Sequence, residues 1–152
     1  MMRLESNTPA PAFTLCNAHH KSVSLKDFLG KSVVLYFYPK DNTPGCTIEV
    51  QDFTKLKAEF EAKGAVILGV SPDDTQSHCH FIESEQLGIE LLSDPDCKVA
   101  KTYGAYGEKN LYGKTSVGII RSTFVIDKEG KIIHALYNVK AKGHAQKVLG
   151  LL

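Results

Sequence analysis

The chain has 152 residues, of which 43% are hydrophobic and 23% charged, with a net charge of +1; this suits one soluble domain over residues 1–152 with a full core. Charges of both signs are scattered without a basic block, and no apolar run is long enough for a bilayer, so neither nucleic acid nor a membrane is expected as a partner. Cys16, Cys46, Cys79 and Cys97 lie far apart, with no CxxC, and residues 1–7 lack the apolar core of a secretory signal; a disulfide scaffold is excluded and the reducing cytoplasm is the expected location.

Residues 1–12 read as an arm held extended by Pro9 and Pro11. Residues 12–16 and 21–25 read as two short strands joined at Asn17-Ala18-His19-His20, an N-terminal β-hairpin. Adjacent histidines in a turn do not converge on one metal ion, so His19 and His20 read as a solvated turn. Residues 25–30 form a short helical turn closed by Gly30. Val33-Val34-Leu35-Tyr36-Phe37-Tyr38 is an unbroken apolar run, as expected of a strand buried on both faces. Pro39 ends it, having no N–H for the ladder, and Asn42, Pro44 and Gly45 make a tight loop.

Beyond Cys46 the pattern takes helical period, with Val50, Phe53, Leu56 and Phe60 recurring every three or four residues. Glu49, Asp52, Lys55, Lys57, Glu59 and Glu61 fall between them and read as the polar face. Gly64 closes this helix, and residues 65–70 are a second buried strand. Strand, helix and strand make a right-handed βαβ unit, whose site lies at the carboxyl ends of the strands.

Asp73-Asp74 caps a helix over residues 75–86, in which Cys79 and Ile82 share a face and His78 and His80 read as exposed polar residues. Residues 89–92 are a short strand, and residues 96–103 a helix. Cys97, near its start, is flanked by Asp94 and Asp96, whose charge raises a thiol pKa, so Cys97 reads as structural; Cys16, with no charged motif around it, reads the same way. Residues 103–118, with four glycines, read as a long loop. Residues 119–126 are a strand containing Arg121, residues 127–130 a hairpin turn, and residues 131–137 the return strand. Residues 143–152 close the chain as an amphipathic helix.

Cys46 thus sits where a buried strand passes into the first turn of a helix. There the backbone N–H groups lack intrahelical partners and the macrodipole favours negative charge. An unperturbed thiol, with a pKa of ~8.5, is only about 3% thiolate at pH 7; a helix N-terminus with a nearby cation can lower that pKa to roughly 3.5–7.5. Thr43 is placed to turn its hydroxyl toward the sulfur. The same position also suits a small buried hydrophobe.

Pro39, Thr43 and Cys46 follow the spacing Pro-x-x-x-Thr-x-x-Cys, which resembles the active-site loop of the peroxiredoxins. The longer string from Phe37 to Thr47 is similar to the PrxQ branch, the bacterioferritin comigratory proteins. The resemblance implies a thioredoxin-like α/β fold, with a central mixed sheet flanked by helices. It implies a thiol peroxidase in which Cys46 attacks hydrogen peroxide or an organic hydroperoxide and becomes a sulfenic acid. Arg121 opens Arg-Ser-Thr-Phe-Val-Ile-Asp, similar to the family segment that carries the active-site arginine. Thr43, Arg121 and the Cys46 backbone N–H are the implied donors, and Pro39 and Pro44 the implied shield from water.

Some PrxQ-like chains carry a second cysteine five residues after the first; here that residue is Gln51. Others carry it in the helix after the next strand, where Cys79 falls, so Cys79 is the implied resolving cysteine, with thioredoxin or a similar thiol as reductant. A one-cysteine cycle resolved by an outside thiol is the alternative. A monomer is implied, and no cofactor or metal. A thioredoxin-fold redox sensor, a general dithiol oxidoreductase and a metal-binding module at His78-Cys79-His80 are the readings from other classes. The intact Pro39, Thr43, Cys46 and Arg121 set argues against the first, and the absence of CxxC against the second; activity insensitive to chelators would exclude the third.

Overall fold

The computed structural model describes residue 4, residues 6–111 and residues 113–152. In chain order the elements are β1 (Thr8–Pro9), β2 (Thr14–Asn17), β3 (Ser22–Ser24), a 3-10 turn (Leu25–Phe28), β4 (Ser32–Phe37), α1 (Pro44–Ala62), β5 (Ala65–Ser71), α2 (Thr75–Glu85) and β6 (Glu90–Ser93). They continue with α3 (Lys98–Thr102), β7 (Tyr106–Leu111), β8 (Lys114–Ile119), β9 (Ser122–Ile126), β10 (Lys131–Leu136) and α4 (His144–Leu149). Eight strands form one mixed sheet in the order β1-β10-β9-β4-β5-β6-β2-β3. β4, β5 and β6 run parallel; β9 pairs antiparallel with the other edge of β4.

The apolar run of β4 explains why it lies at the centre. Val33, Leu35 and Phe37 face one core with Leu68, Val70, Leu92, Phe124 and Tyr103. Val34, Tyr36 and Tyr38 point the other way, into a second core with Val50, Phe53 and Phe60 of α1, Phe81 of α2 and Val148 of α4. Alternation on a strand with two covered faces requires apolar residues at every position. Tyr36 stands in parallel register with Gly69, and its ring stacks on Phe53 with centroids 4.8 Å apart. A Cβ at residue 69 would lie 2.7 Å from the Tyr36 hydroxyl, so only glycine fits there.

The structure departs from the sequence expectations at several points. Residues 103–118 are not a long loop: β7 and β8 pair as a separate two-stranded ribbon, with Gly107 opposite Gly118. Thr115, Ser116 and Val117 on that ribbon are exposed, so no apolar alternation marks it as strand. Arg121 is not inside a strand but between β8 and β9, where its carbonyl accepts from Val139 N. α3 begins at Lys98 and not Asp96, because Cys97 adopts a left-handed conformation (φ 55°) at the N-cap. The N-terminal arm is tied to the sheet edge, with Thr8 opposite Ile132.

Candidate active site

α1 starts where the carboxyl end of β4 turns over. Thr43 is the N-cap, with extended backbone (φ −91°, ψ 152°), and Pro44 occupies the first turn, where its missing N–H costs nothing. The first intrahelical bond runs from Thr47 N to Thr43 O, so the amides of Gly45 and Cys46 have no partner four residues back. Cys46 is 1% exposed.

Arg121, immediately before β9, reaches this turn from the strand next to β4, where Ser122 pairs with Phe37. Its Nη2 donates to Cys46 Sγ at 3.2 Å and its Nη1 donates to Glu49 Oε1 at 2.6 Å. The planar fork suits this double engagement, which a lysine could not reproduce. Burial works against the Arg121 charge, but the neighbouring Glu49 and Cys46 outweigh it and raise its pKa. Gly45 makes the approach possible: a Cβ there would sit 3.3 Å from Arg121 Nη2.

Glu49 is the candidate site residue that the sequence does not single out, since its charge in an amphipathic pattern reads as part of the polar face. It is fully buried, and burial lifts its pKa to about 7 even though Arg121 pulls the other way. The signal was its place: Glu49 is three residues after Cys46 and four before Phe53, on the inward stripe of α1.

Thr43 differs from expectation. Its hydroxyl donates to Lys40 O at 2.8 Å, closing the loop instead of turning to the sulfur. Pro39 is half-buried at the bend after β4, and Pro44 is exposed. Asp41, in the same loop, is buried and accepts from the Tyr38 hydroxyl at 2.6 Å and the Ser77 hydroxyl at 2.8 Å. It also meets His78 Nδ1 at 2.7 Å. His78 is fully buried, not exposed as expected.

Cys79 lies in the middle of α2, half-buried, with its thiol directed at Glu83 Oε1 at 3.7 Å. A surface recess beside it is lined by His19, His20, Thr75 and Gln76. Cys46 and Cys79 are both free and both held in helices. Cys97 has its pKa raised by burial first and by Asp94 next, and Cys16 is exposed on β2. Among the described residues no group of three or more His, Cys, Asp or Glu could hold a metal ion, and no helix is long and apolar enough to cross a membrane.

Residues 7–135 match the model of the AhpC/TSA family. A bcp protein of Helicobacter pylori is 58% identical over 98% of each chain, and the peroxiredoxin Bcp of Bacillus subtilis is 44% identical over 99% of this chain and 96% of its own. A structure of the Xanthomonas campestris bacterioferritin comigratory protein, described for its alkyl peroxide reduction activity, superposes with a TM-score of 0.86 at 41% identity, covering 91% of this chain and 88% of that one. PrxQ of Xylella fastidiosa superposes with a TM-score of 0.87 at 34% identity over 97% and 96%. The two cysteines mutated in variants of Xanthomonas campestris peroxiredoxin Q stand three residues further apart than Cys46 and Cys79. By sequence and by thioredoxin-like fold, the chain belongs to the AhpC/TSA family and is a peroxiredoxin of the Bcp/PrxQ branch.

Proposed function

We propose that this peroxidase reduces hydrogen peroxide and organic hydroperoxides through Cys46, with Cys79 as resolving cysteine and a thioredoxin-like dithiol as reductant. The observation that carries the reading is the Arg121 Nη2 contact to Cys46 Sγ at the open end of α1. The thiolate attacks the nearer oxygen of ROOH. An S–O bond forms, the O–O bond breaks, and the leaving alkoxide takes up a proton. Arg121 and the free amide of Cys46 stabilise the charge that develops along this line. Pro39 and Thr43 shape the loop that presents the sulfur; the Thr43 hydroxyl, held by Lys40 O, is available to a peroxide as a lone-pair acceptor.

The Cys46 sulfenic acid then condenses with the Cys79 thiol, releasing water. A disulfide needs Cα atoms within about 7 Å, and Cys46 in the first turn of α1 and Cys79 in the middle of α2 are both held in helices, so in the proposed step the start of α1 and part of α2 unwind. The offset in cysteine spacing from the Xanthomonas campestris protein favours, as second reading, a one-cysteine cycle resolved by an outside thiol. A monomer working in the cytoplasm fits either cycle. Peroxide consumption with thioredoxin and its reductase tests the assignment. Cys46→Ser abolishes turnover. Cys79→Ser abolishes it with thioredoxin in the two-cysteine cycle and spares it in the one-cysteine cycle. Full activity in Cys46→Ser overturns the reading.

A further inference from the structure

Glu49 raises a problem that the peroxidase chemistry does not use. Its Oε1 accepts from Arg121, while its Oε2 is buried with no hydrogen-bond partner. An ionised carboxylate with one orphaned oxygen out of water is costly. Moreover, Arg121 is shared: the same guanidinium serves Cys46 Sγ. Two acids drawing on one cation, away from solvent, compete for its charge.

We propose that Glu49 is the proton-holding residue of the site: it keeps one proton while Cys46 is a thiolate and yields it when the sulfur is oxidised. This rests on Cys46 being the sulfur that attacks peroxide. With one proton for the pair, either the thiol or the carboxyl holds it. Cys46 has the unpartnered amides and the positive end of the α1 dipole; Glu49 lies a turn deeper, beyond them. Burial raises the Glu49 pKa to about 7, which supports the same placement.

Among the described residues, Tyr36 and His144, the other titratable groups coupled to this pair or to Arg121, do not supply a second cation. Tyr36 of β4 is held neutral, its pKa raised well above the ordinary value by burial, then by Glu49, Cys46 and Asp41. His144 of α4, lowered to about 4 by burial, then by Lys147 and Arg121, is neutral at pH 7.

The step balances. The thiolate takes the nearer oxygen of ROOH together with its hydrogen and becomes a neutral sulfenic acid. The alkoxide leaves with the bonding pair of the O–O bond and becomes ROH with one proton. The oxidised sulfur no longer competes for Arg121, and the Glu49 carboxyl ionises against it. One proton leaves Glu49 for the one the alkoxide gains, and the charge of the site is unchanged.

The test is an infrared difference spectrum of the full chain before and after one equivalent of hydrogen peroxide, with the Cys46 sulfenic acid trapped in parallel. The expected result is loss of a protonated-carboxyl C=O band in the native protein and no such band in Glu49→Gln, where Cys46 oxidation slows by about tenfold or more. Glu49→Asp restores the band. Should Glu49→Gln fail to fold, carboxyl-labelled glutamate in the native protein identifies the same signal by its isotope shift. Formation of the sulfenic acid with no loss of a protonated carboxyl overturns the proposal and leaves the peroxidase reading standing. Failure of Cys46 to oxidise overturns both.

Discussion

Asp41 and His78 face each other at 2.7 Å, joining the loop that leads into Cys46 to the helix that carries Cys79. The other ring nitrogen of His78 lies 2.9 Å from Leu92 O; a carbonyl only accepts, so that nitrogen carries a hydrogen. A second clasp joins α1 itself to α2, from Gln51 Nε2 to Glu85 Oε2 at 2.8 Å. In the proposed two-cysteine cycle, unwinding α2 around Cys79 would work against both contacts.

Asp41→Ala removes the shared acceptor of Tyr38, Ser77 and His78. Each buried polar group left without its partner costs about 1–3 kcal/mol, read as a lower midpoint in urea unfolding. With α2 loosened, the Cys46 sulfenic acid converts to disulfide faster than in the native protein. An unchanged conversion rate in a destabilised variant would show that the clasp does not gate the step.

Arg121→Ala leaves Cys46 without its donor and Glu49 as an unpaired buried acid. Losing one preorganised donor typically slows chemistry by about 10²–10³, and the second-order rate of Cys46 oxidation should fall by that order. Arg121→Lys keeps the charge but cannot hold both partners, so it should recover only part of the rate in stopped-flow measurements.

Gly45→Ala separates activity from stability. Alanine inside a helix is favoured over glycine by about 0.5–1 kcal/mol, yet its Cβ would meet Arg121 Nη2 at 3.3 Å and Ala141 Cβ at 3.9 Å. The guanidinium has to retreat. The variant should react several-fold more slowly with peroxide while its thermal midpoint holds or rises.

Two buried groups give opposing pH dependences. His144 has its pKa lowered from 6.5 to about 4, so the unfolded chain binds a proton first and stability falls as pH drops from 6.5 toward 4. Glu49 has its pKa raised from 4.5 to about 7, so the folded chain binds the extra proton and stability falls as pH rises from 4.5 to 7. At about 1.4 kcal/mol per pKa unit, each effect is on the order of 3 kcal/mol, and they largely offset each other where the windows overlap. Urea titrations of Glu49→Gln across pH 4.5–6.5 should show stability climbing more steeply with pH than in the native protein; parallel curves would contradict this.

The centre of the fold was legible because β4 and α1 announce themselves by period: an unbroken apolar run, then apolar residues every three or four positions. The N-terminal hairpin and the turn at Asp127 were legible for similar local reasons, since Asp127 Oδ1 accepts from Glu129 N and Lys131 N as an Asx turn does. Glu49 was not, because a charged residue inside an amphipathic pattern reads as solvated unless its partner, here Arg121 far along the chain, is known. His78 was hidden for the same reason, its partner Asp41 being on another element. The β7–β8 ribbon escaped because its exposed face has no core to select an apolar alternation.

A non-reducing peptide map after one equivalent of hydrogen peroxide bears most directly on the central assignment. The account predicts a peptide joining Cys46 to Cys79 within one chain, preceded at short times by a Cys46 sulfenic acid. Trapped Cys46 sulfenic acid with Cys79 free would move the protein to the one-cysteine cycle. Cys46 left reduced while Cys16, Cys79 or Cys97 is oxidised would contradict the account at its root.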